Sequence, residues 1–345
     1  MPARPRPSGR GRRAALRVVV AAAGSAAAVA FLVPRVSGAP WGAIGAALGT
    51  ATAVQLLALV ALWAAGLVVH CRVLTAALPG LTVRRALTLN LTGSAVANVV
   101  PMGGGLGIGV NYLMARRWGF TPVQFSLFTG LVNAWHVAMK ALLPAAAVAL
   151  LVADDVLLQR RLLVGAAVTG VLLLSSVALA AAALLTSWGA RLTGRAVDRL
   201  LRLVRRPTPA TVAARLEALR AGSLGLLTSA WRPMTWGLLA YSALQIGLLW
   251  ACLAVVAAPV AVAVVVAVFA VERAMTALPF TPGGSGVAEV AATAALVALG
   301  TAPASAAAGI LLYRAFVFGL EIPVGGTWLV GWWLAQRDAV RVAVP

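Results

Sequence analysis

Pro279-Phe280-Thr281-Pro282-Gly283-Gly284-Ser285-Gly286 interrupts an apolar stretch running from residue 259 to residue 300. Proline has no backbone donor and clashes with the preceding turn, and glycine tolerates positive φ, so a helix breaks here. The arms on either side are about 20 and about 14 residues, one long enough to cross a bilayer and one too short. Residues 83–118 repeat the pattern, broken by Pro101-Met102-Gly103-Gly104-Gly105-Leu106-Gly107. Here each arm is about 15 residues. Both segments read as helical hairpins whose tips sit within a membrane. Irregular backbone is tolerated at that depth only where protein buries it or water reaches it.

Working outward, the rest of the chain suits the same solvent. Of the 345 residues, 62% are hydrophobic and 10% charged, whereas ordinary globular domains carry roughly 25% charged residues. A soluble fold of this size would lack the polar surface to cover itself, and lipid removes that conflict. Full spans are expected at 16–34, 42–69, 122–151, 162–186, 233–257 and 303–323. The basic start and Ser37-Gly38-Ala39 resemble a cleaved signal. The run from Leu16 to Pro34 is nevertheless long enough to span, and it reads as a retained first helix.

The net charge of +20 raises the question of a nucleic-acid partner. Six arginines lie before or at the start of the first apolar run, nine lie from Arg191 to Arg232, and seven more flank apolar segments. That placement follows the positive-inside rule rather than a nucleic-acid face, so no nucleic acid is expected. Residues 195–206 place Val197, Leu200, Leu201 and Val204 on one helical face with arginines opposite. Such a helix lies on an anionic leaflet. Trp328, Trp332 and Trp333 suit an interface belt.

Charge also sets the sides. The basic tail, 1–15, is placed in the cytoplasm. Helices then alternate, and Arg84, Arg85, Arg116 and Arg117 put both ends of the first hairpin on the cytoplasmic side. The second hairpin has no basic residue near its ends and is placed outside. The expected fold is all-α integral membrane: about six full transmembrane helices plus two re-entrant hairpins in two inverted-topology repeats. The first repeat is 16–151 with hairpin 83–118. The second is 152–335 with the basic segment 187–232 and hairpin 259–300, followed by a cytoplasmic tail, 336–345. Gly104-Gly105-x-Gly107 matches Gly283-Gly284-x-Gly286, and Gly119-x-x-Pro122 matches Gly300-x-x-Pro303 with a two-residue insertion. Inverted repeats with broken helices are characteristic of secondary transporters.

An ionisable group inside a membrane costs roughly 2.5–3.5 kcal/mol on insertion scales and usually marks function. Glu272 and Arg273 lie on the first arm of the second hairpin, and Glu289 lies just after its tip. Arg314 and Glu321 lie seven residues apart on the last span, which a regular helix places on one face. Mutual neutralisation that only fastens helices is one reading. The other is a transport site. Helix N-termini and glycine-rich turns bind phosphate, at Pro282, Gly283, Gly284 and Gly286 in one tip and at Pro101, Gly103, Gly104, Gly105 and Gly107 in the other. Arg273 and Arg314 would then add charge to a phosphate clamp. Glu272, Glu289 or Glu321 would hold the arginines or carry a coupling proton. Asn98, three residues before Pro101, is expected to satisfy backbone freed at the break. His70 and His136 lack a partner at ligand spacing, and His136 reads as a packing or hydrogen-bonding residue. No catalytic constellation, metal motif or cofactor site is apparent.

Phe280-Thr281-Pro282-Gly283-Gly284-Ser285-Gly286-Val287-Ala288-Glu289, with Leu311-Leu312-Tyr313-Arg314, resembles the lysylphosphatidylglycerol synthase transmembrane (flippase-like) family. Asn98-Val99-Val100-Pro101-Met102-Gly103-Gly104-Gly105-Leu106-Gly107 is similar to its first signature. The likeness runs from about residue 15 to 335. It departs at Ser285, where a hydrophobic residue is frequent in the family, and in an extra glycine at the first tip. Longer members carry a soluble aminoacyl-transferase domain, for which these residues leave no room. The resemblance therefore implies translocation rather than synthesis, and it adds Tyr313 to the site; the charge placement puts the chain in the cytoplasmic membrane, and no cofactor is expected. The substrate expected is an anionic or aminoacylated phospholipid or a polyprenyl-phosphate-linked sugar. The alternative is a membrane scaffold or accessory subunit of a lipid- or glycan-modifying enzyme, docked through 187–232. A homo-oligomer or such a partner enzyme is compatible with either reading.

Overall fold

The computed structural model describes residues 19–20, 22–100, 103–153, 212–276 and 282–342. The expected span 162–186 and the amphipathic segment 195–206 lie outside the described residues. All regular structure among the described residues is helical.

Helix α1 (Ala22–Ser37) turns through 94° into the short α2 (Trp41–Leu48). The corner has local causes. Residues Ala28–Leu32 form a π-helical turn ahead of Pro34. Gly38 then ends the helix in the left-handed region at φ 76°, its N–H reaching Pro34 O at 2.8 Å. Trp41 Nε1 donates back to Ala30 O at 2.9 Å, satisfying a carbonyl in the π turn.

The expected span 42–69 is corrected. Helix α3 begins only at Ala53 and runs to Ala77. Thr52 and Gln55 form a capping box: Thr52 N–H donates to Gln55 Oε1 at 2.9 Å, and Gln55 N–H to Thr52 Oγ1 at 3.3 Å. That arrangement starts a helix rather than continuing one. Helix α6 (Pro122–Ala153) opens with the same device, Thr121 with Gln124, and with proline at its first position.

Both expected hairpins are broken helices. The first is α4 (Val83–Val99) and α5 (Gly104–Arg117). The second is α8 (Val262–Met275) and α9 (Val287–Ala298), following α7 (Val212–Val255). The expected last span, 303–323, is too short. Helix α10 (Pro303–Arg314) passes through a π turn, Ala315–Leu320, into α11 (Glu321–Val342). Among the described residues, four helices are long and apolar enough to cross a membrane: Ala53–Ala77, Pro122–Ala153, Thr228–Val255 and Pro303–Gln336. The bent α1–α2 pair makes up to five.

The order long helix, broken hairpin, long helix occurs twice, as α3–α6 and as α7–α11. The junctions after the hairpins match in detail. Gly119 and Gly300 both have φ 91°. Phe120 N–H reaches Ala115 O at 3.1 Å, and Thr301 N–H reaches Leu296 O at 3.0 Å. These are the same six-to-one Schellman closures, in each case just before a helix that opens on proline.

The chain divides into two compact units. One comprises Met1–Trp63, Thr88–Asn111 and Ile246–Pro345, and the other Ala64–Leu87 and Tyr112–Gln245. Within the first unit, α8 packs on α9, α9 on α10, and α10 on α2 and the end of α1. Within the second, His70 and His136 meet Nε2 to Nε2 at 3.0 Å, and Tyr241 stacks on His70 with ring centroids 4.8 Å apart. The hydrogen-bonding role expected of His136 is thus met by a histidine 66 residues away.

Candidate functional site

Every described site residue singled out in the sequence lies in the first unit. The second tip is built on three glycines in conformations that other residues rarely adopt. Gly283, Gly284 and Gly286 have φ 55°, 72° and 88°. Each is also crowded. A Cβ on Gly283 would lie 2.7 Å from Asn98 Oδ1, one on Gly284 2.8 Å from Thr276 Cα, and one on Gly286 2.9 Å from Ala28 Cβ. Pro282 contributes to the 3-10 turn Pro282–Gly284.

Behind this tip lies a buried ion network. Glu272 is wholly buried, and Glu289 and Arg314 are nearly so. Arg314 Nε donates to Glu289 Oε1 at 2.9 Å, Nη1 to Glu272 Oε1 at 3.0 Å and Nη2 to Gly283 O at 3.1 Å. One guanidinium therefore ties α10 to both arms of the hairpin and to its turn. Its planar fork suits this three-way recognition in a way a lysine ammonium would not. Arg273 also pairs with Glu272, through Nη2 to Oε1 at 3.0 Å, and donates to the buried Tyr313 hydroxyl at 3.2 Å. Phe318 stacks under Arg314 and Phe269 under Arg273, at 5.0 and 5.1 Å.

The geometry revises the expected phosphate clamp. The N–H of Gly286 at the start of α9 is already met by Glu289 Oε2 at 2.6 Å. A carboxylate of the chain itself thus sits where a ligand anion would bind. Both arginines are engaged by carboxylates, Arg314 also by the turn and Arg273 also by the Tyr313 hydroxyl.

Glu321 stands apart from this network. A seven-residue spacing puts two side chains on one face of an α-helix, but the π turn Ala315–Leu320 intervenes. An inserted residue rotates the remainder of the helix by about 100°. Glu321 consequently faces α4, where Asn98 Nδ2 donates to its Oε2 at 3.4 Å and Ser94 adds a hydroxyl. Asn98 was expected to serve freed backbone, but its amide nitrogen turns to this carboxylate.

The first tip is fastened differently. Gly107 lies so close to α4 that a Cβ there would be 2.7 Å from Gly93 O, and one on Gly93 would be 2.7 Å from Asn111 Nδ2. Gly103 closes the turn, its N–H on Val100 O at 2.8 Å. Gly104 and Gly105 face open space. Pro101 lies outside the described residues.

The two tips share a cavity of about 550 Å³. Asn98 and Val99 line it from the first tip, Ser285 from the second, and Phe318 and Ile322 from the last span. Ala22, Ser25, Ala26, Val29 and Ala30 of α1, with Trp41, complete the wall. The wall is mostly apolar, and Ser25, buried to 6% exposure, has a hydroxyl with no hydrogen-bond partner. Ser25 and Phe318 were missed in the sequence. Ser25 sits in an alanine-rich run with nothing local to distinguish it. Phe318 is offset by the same π turn that displaces Glu321.

Residues 15–325 match the family model described as the lysylphosphatidylglycerol synthase TM region. No curated protein matches the chain. The match covers both tips, the ion network and the cavity, and the chain belongs to the lysylphosphatidylglycerol synthase transmembrane family.

Proposed function

We propose that this protein moves an amphiphilic lipid across the cytoplasmic membrane, without chemistry on it. The observation that carries the reading is the shared cavity: Asn98 from one broken hairpin and Ser285 from the other line the same apolar chamber. An amphiphile needs an apolar wall for its chain and a few hydrogen-bonding groups at a fixed place for its headgroup. Ser25, Asn98 and Ser285 are such groups, and the unpartnered Ser25 hydroxyl is ready for a ligand. The ion network does not clamp phosphate directly. It holds the second tip rigid against α10 so that the polar groups stay in register.

In this reading the two halves are inverted repeats with both termini in the cytoplasm, and they rock around the tips. The substrate is an anionic or aminoacylated phospholipid or a polyprenyl-phosphate-linked sugar. Purified protein in liposomes, given fluorescent lysyl-phosphatidylglycerol and a fluorescent polyprenyl-phosphate analogue, tests it. Faster loss of outer-leaflet label than in protein-free vesicles is expected for one of the two. Background rates for both would transfer the weight to an accessory subunit of a lipid-modifying enzyme. Its partner would then be sought through the basic segment 187–232.

A further inference from the structure

Glu272, Glu289 and Glu321 face Arg273 and Arg314 in one region of the first unit. If all five are ionised, one negative charge is left over. The hydrogen bonds say which carboxylate carries it. Glu289 takes Arg314, and Glu272 takes both arginines. Glu321 takes the amide of Asn98 and the hydroxyl of Ser94 from α4. Arg273 of α8 and Arg314 of α10 act on it only through space.

Neutral donors stabilise a carboxylate less than a guanidinium does. A lone charge at membrane depth is relieved most cheaply by binding a proton. The π turn makes this placement, and such turns recur at functional sites. Asn98, the residue that bonds Glu321, also lines the cavity, as does Ser25, whose hydroxyl has no partner.

We infer that Glu321 is a proton-binding site coupled to the cavity, so that lipid movement is driven by a proton gradient. The inference rests on the translocation reading above. In one limb of the cycle Glu321 takes a proton from the more acidic side and becomes a neutral acid. In the other it releases that proton to the opposite side and is again the single excess negative charge. Asn98 relays the change, because its amide donates to the carboxylate and would rotate to accept from the acid O–H. The same side chain therefore presents a different face to the cavity in the two states.

Two measurements on the reconstituted full chain test this, on wild type, Glu321→Gln and Glu321→Asp. The first is infrared difference spectroscopy between acidic and alkaline buffer, which reads a protonated carboxyl without any need for transport. The wild type is expected to show a carboxylic-acid carbonyl band. Glu321→Gln should lack it, and Glu321→Asp should show it shifted. The second is the rate of fluorescent lysyl-phosphatidylglycerol and polyprenyl-phosphate movement with and without an imposed pH gradient. The gradient should speed the wild type several-fold, leave Glu321→Gln unresponsive and drive Glu321→Asp in part. A band of undiminished size in Glu321→Gln, or a gradient response that survives in it, overturns the inference and leaves translocation standing. A band lost in Glu321→Gln without lipid movement by the wild type supports the proton site and sinks the translocation reading instead.

Discussion

The two hairpin tips break at similar Pro/Gly sequences but are held by different means. The first is fastened by backbone proximity: Gly107 against Gly93, with the Asn111 amide beside them. The second is fastened by charge: Arg314 bridges Glu272, Glu289 and the Gly283 carbonyl. The first therefore depends on the absence of side chains alone, and the second, whose glycines are also crowded, depends on the presence of one as well. Similar sequence breaks thus settle only that a helix stops. What holds the stop in place is written elsewhere, in Gly93 for one tip and in Arg314 for the other.

The largest effect should come from Arg314→Ala. It leaves two buried carboxylates without their shared partner, a change that costs about 3–5 kcal/mol. Loss of monodisperse protein in detergent, or a collapse of its Tm, is the expected outcome. Adding Glu289→Gln should recover part of the loss, and no recovery would mean that the pairing is not what fastens the second tip. Next comes Gly107→Val, which forces a side chain against the Gly93 carbonyl and should cost about 1–3 kcal/mol through overpacking. Thermal unfolding monitored by tryptophan fluorescence would read it. A Tm equal to wild type would break the contrast between the tips.

Tyr313→Phe removes one hydrogen bond to Arg273 and should cost about 0.5–1.5 kcal/mol, seen as a small fall in Tm. The smallest effect belongs to Gly104→Ala. This position is helical with open space around it, so alanine should be neutral or stabilising by up to about 1 kcal/mol. Destabilisation comparable to that of Gly107→Val would mean that the whole glycine run, rather than one close approach, carries the packing.

Much of this was legible in the sequence, and for physical reasons. Proline and glycine act locally, so both helix breaks appeared at the right places, and so did the paired Gly–Pro junctions at 119–122 and 300–303. The start of α3 was equally local, because Thr52-x-x-Gln55 is a capping signal, but the apolar run across it masked the boundary. The last span was misjudged because a π turn leaves no compositional mark, and it moved Glu321 off the face of Arg314. In the site, the membership of Glu272, Arg273, Glu289 and Arg314 could be read from charge in an apolar setting, and that of Tyr313 from the family resemblance alone. Their pairing could not, since it joins residues up to 42 positions apart. The bond from Asn98 to Glu321 spans 223 positions and depends wholly on tertiary packing.

The central claim is that lipid passes through the chamber shared by the two tips. Its most direct test is lipid movement by Ala26→Trp, which fills that chamber, beside Val54→Trp, which places the same bulk on an exposed face of α3. The account predicts that Ala26→Trp abolishes movement while Val54→Trp matches wild type, with both proteins equally folded. Movement at the wild-type rate by Ala26→Trp would contradict it.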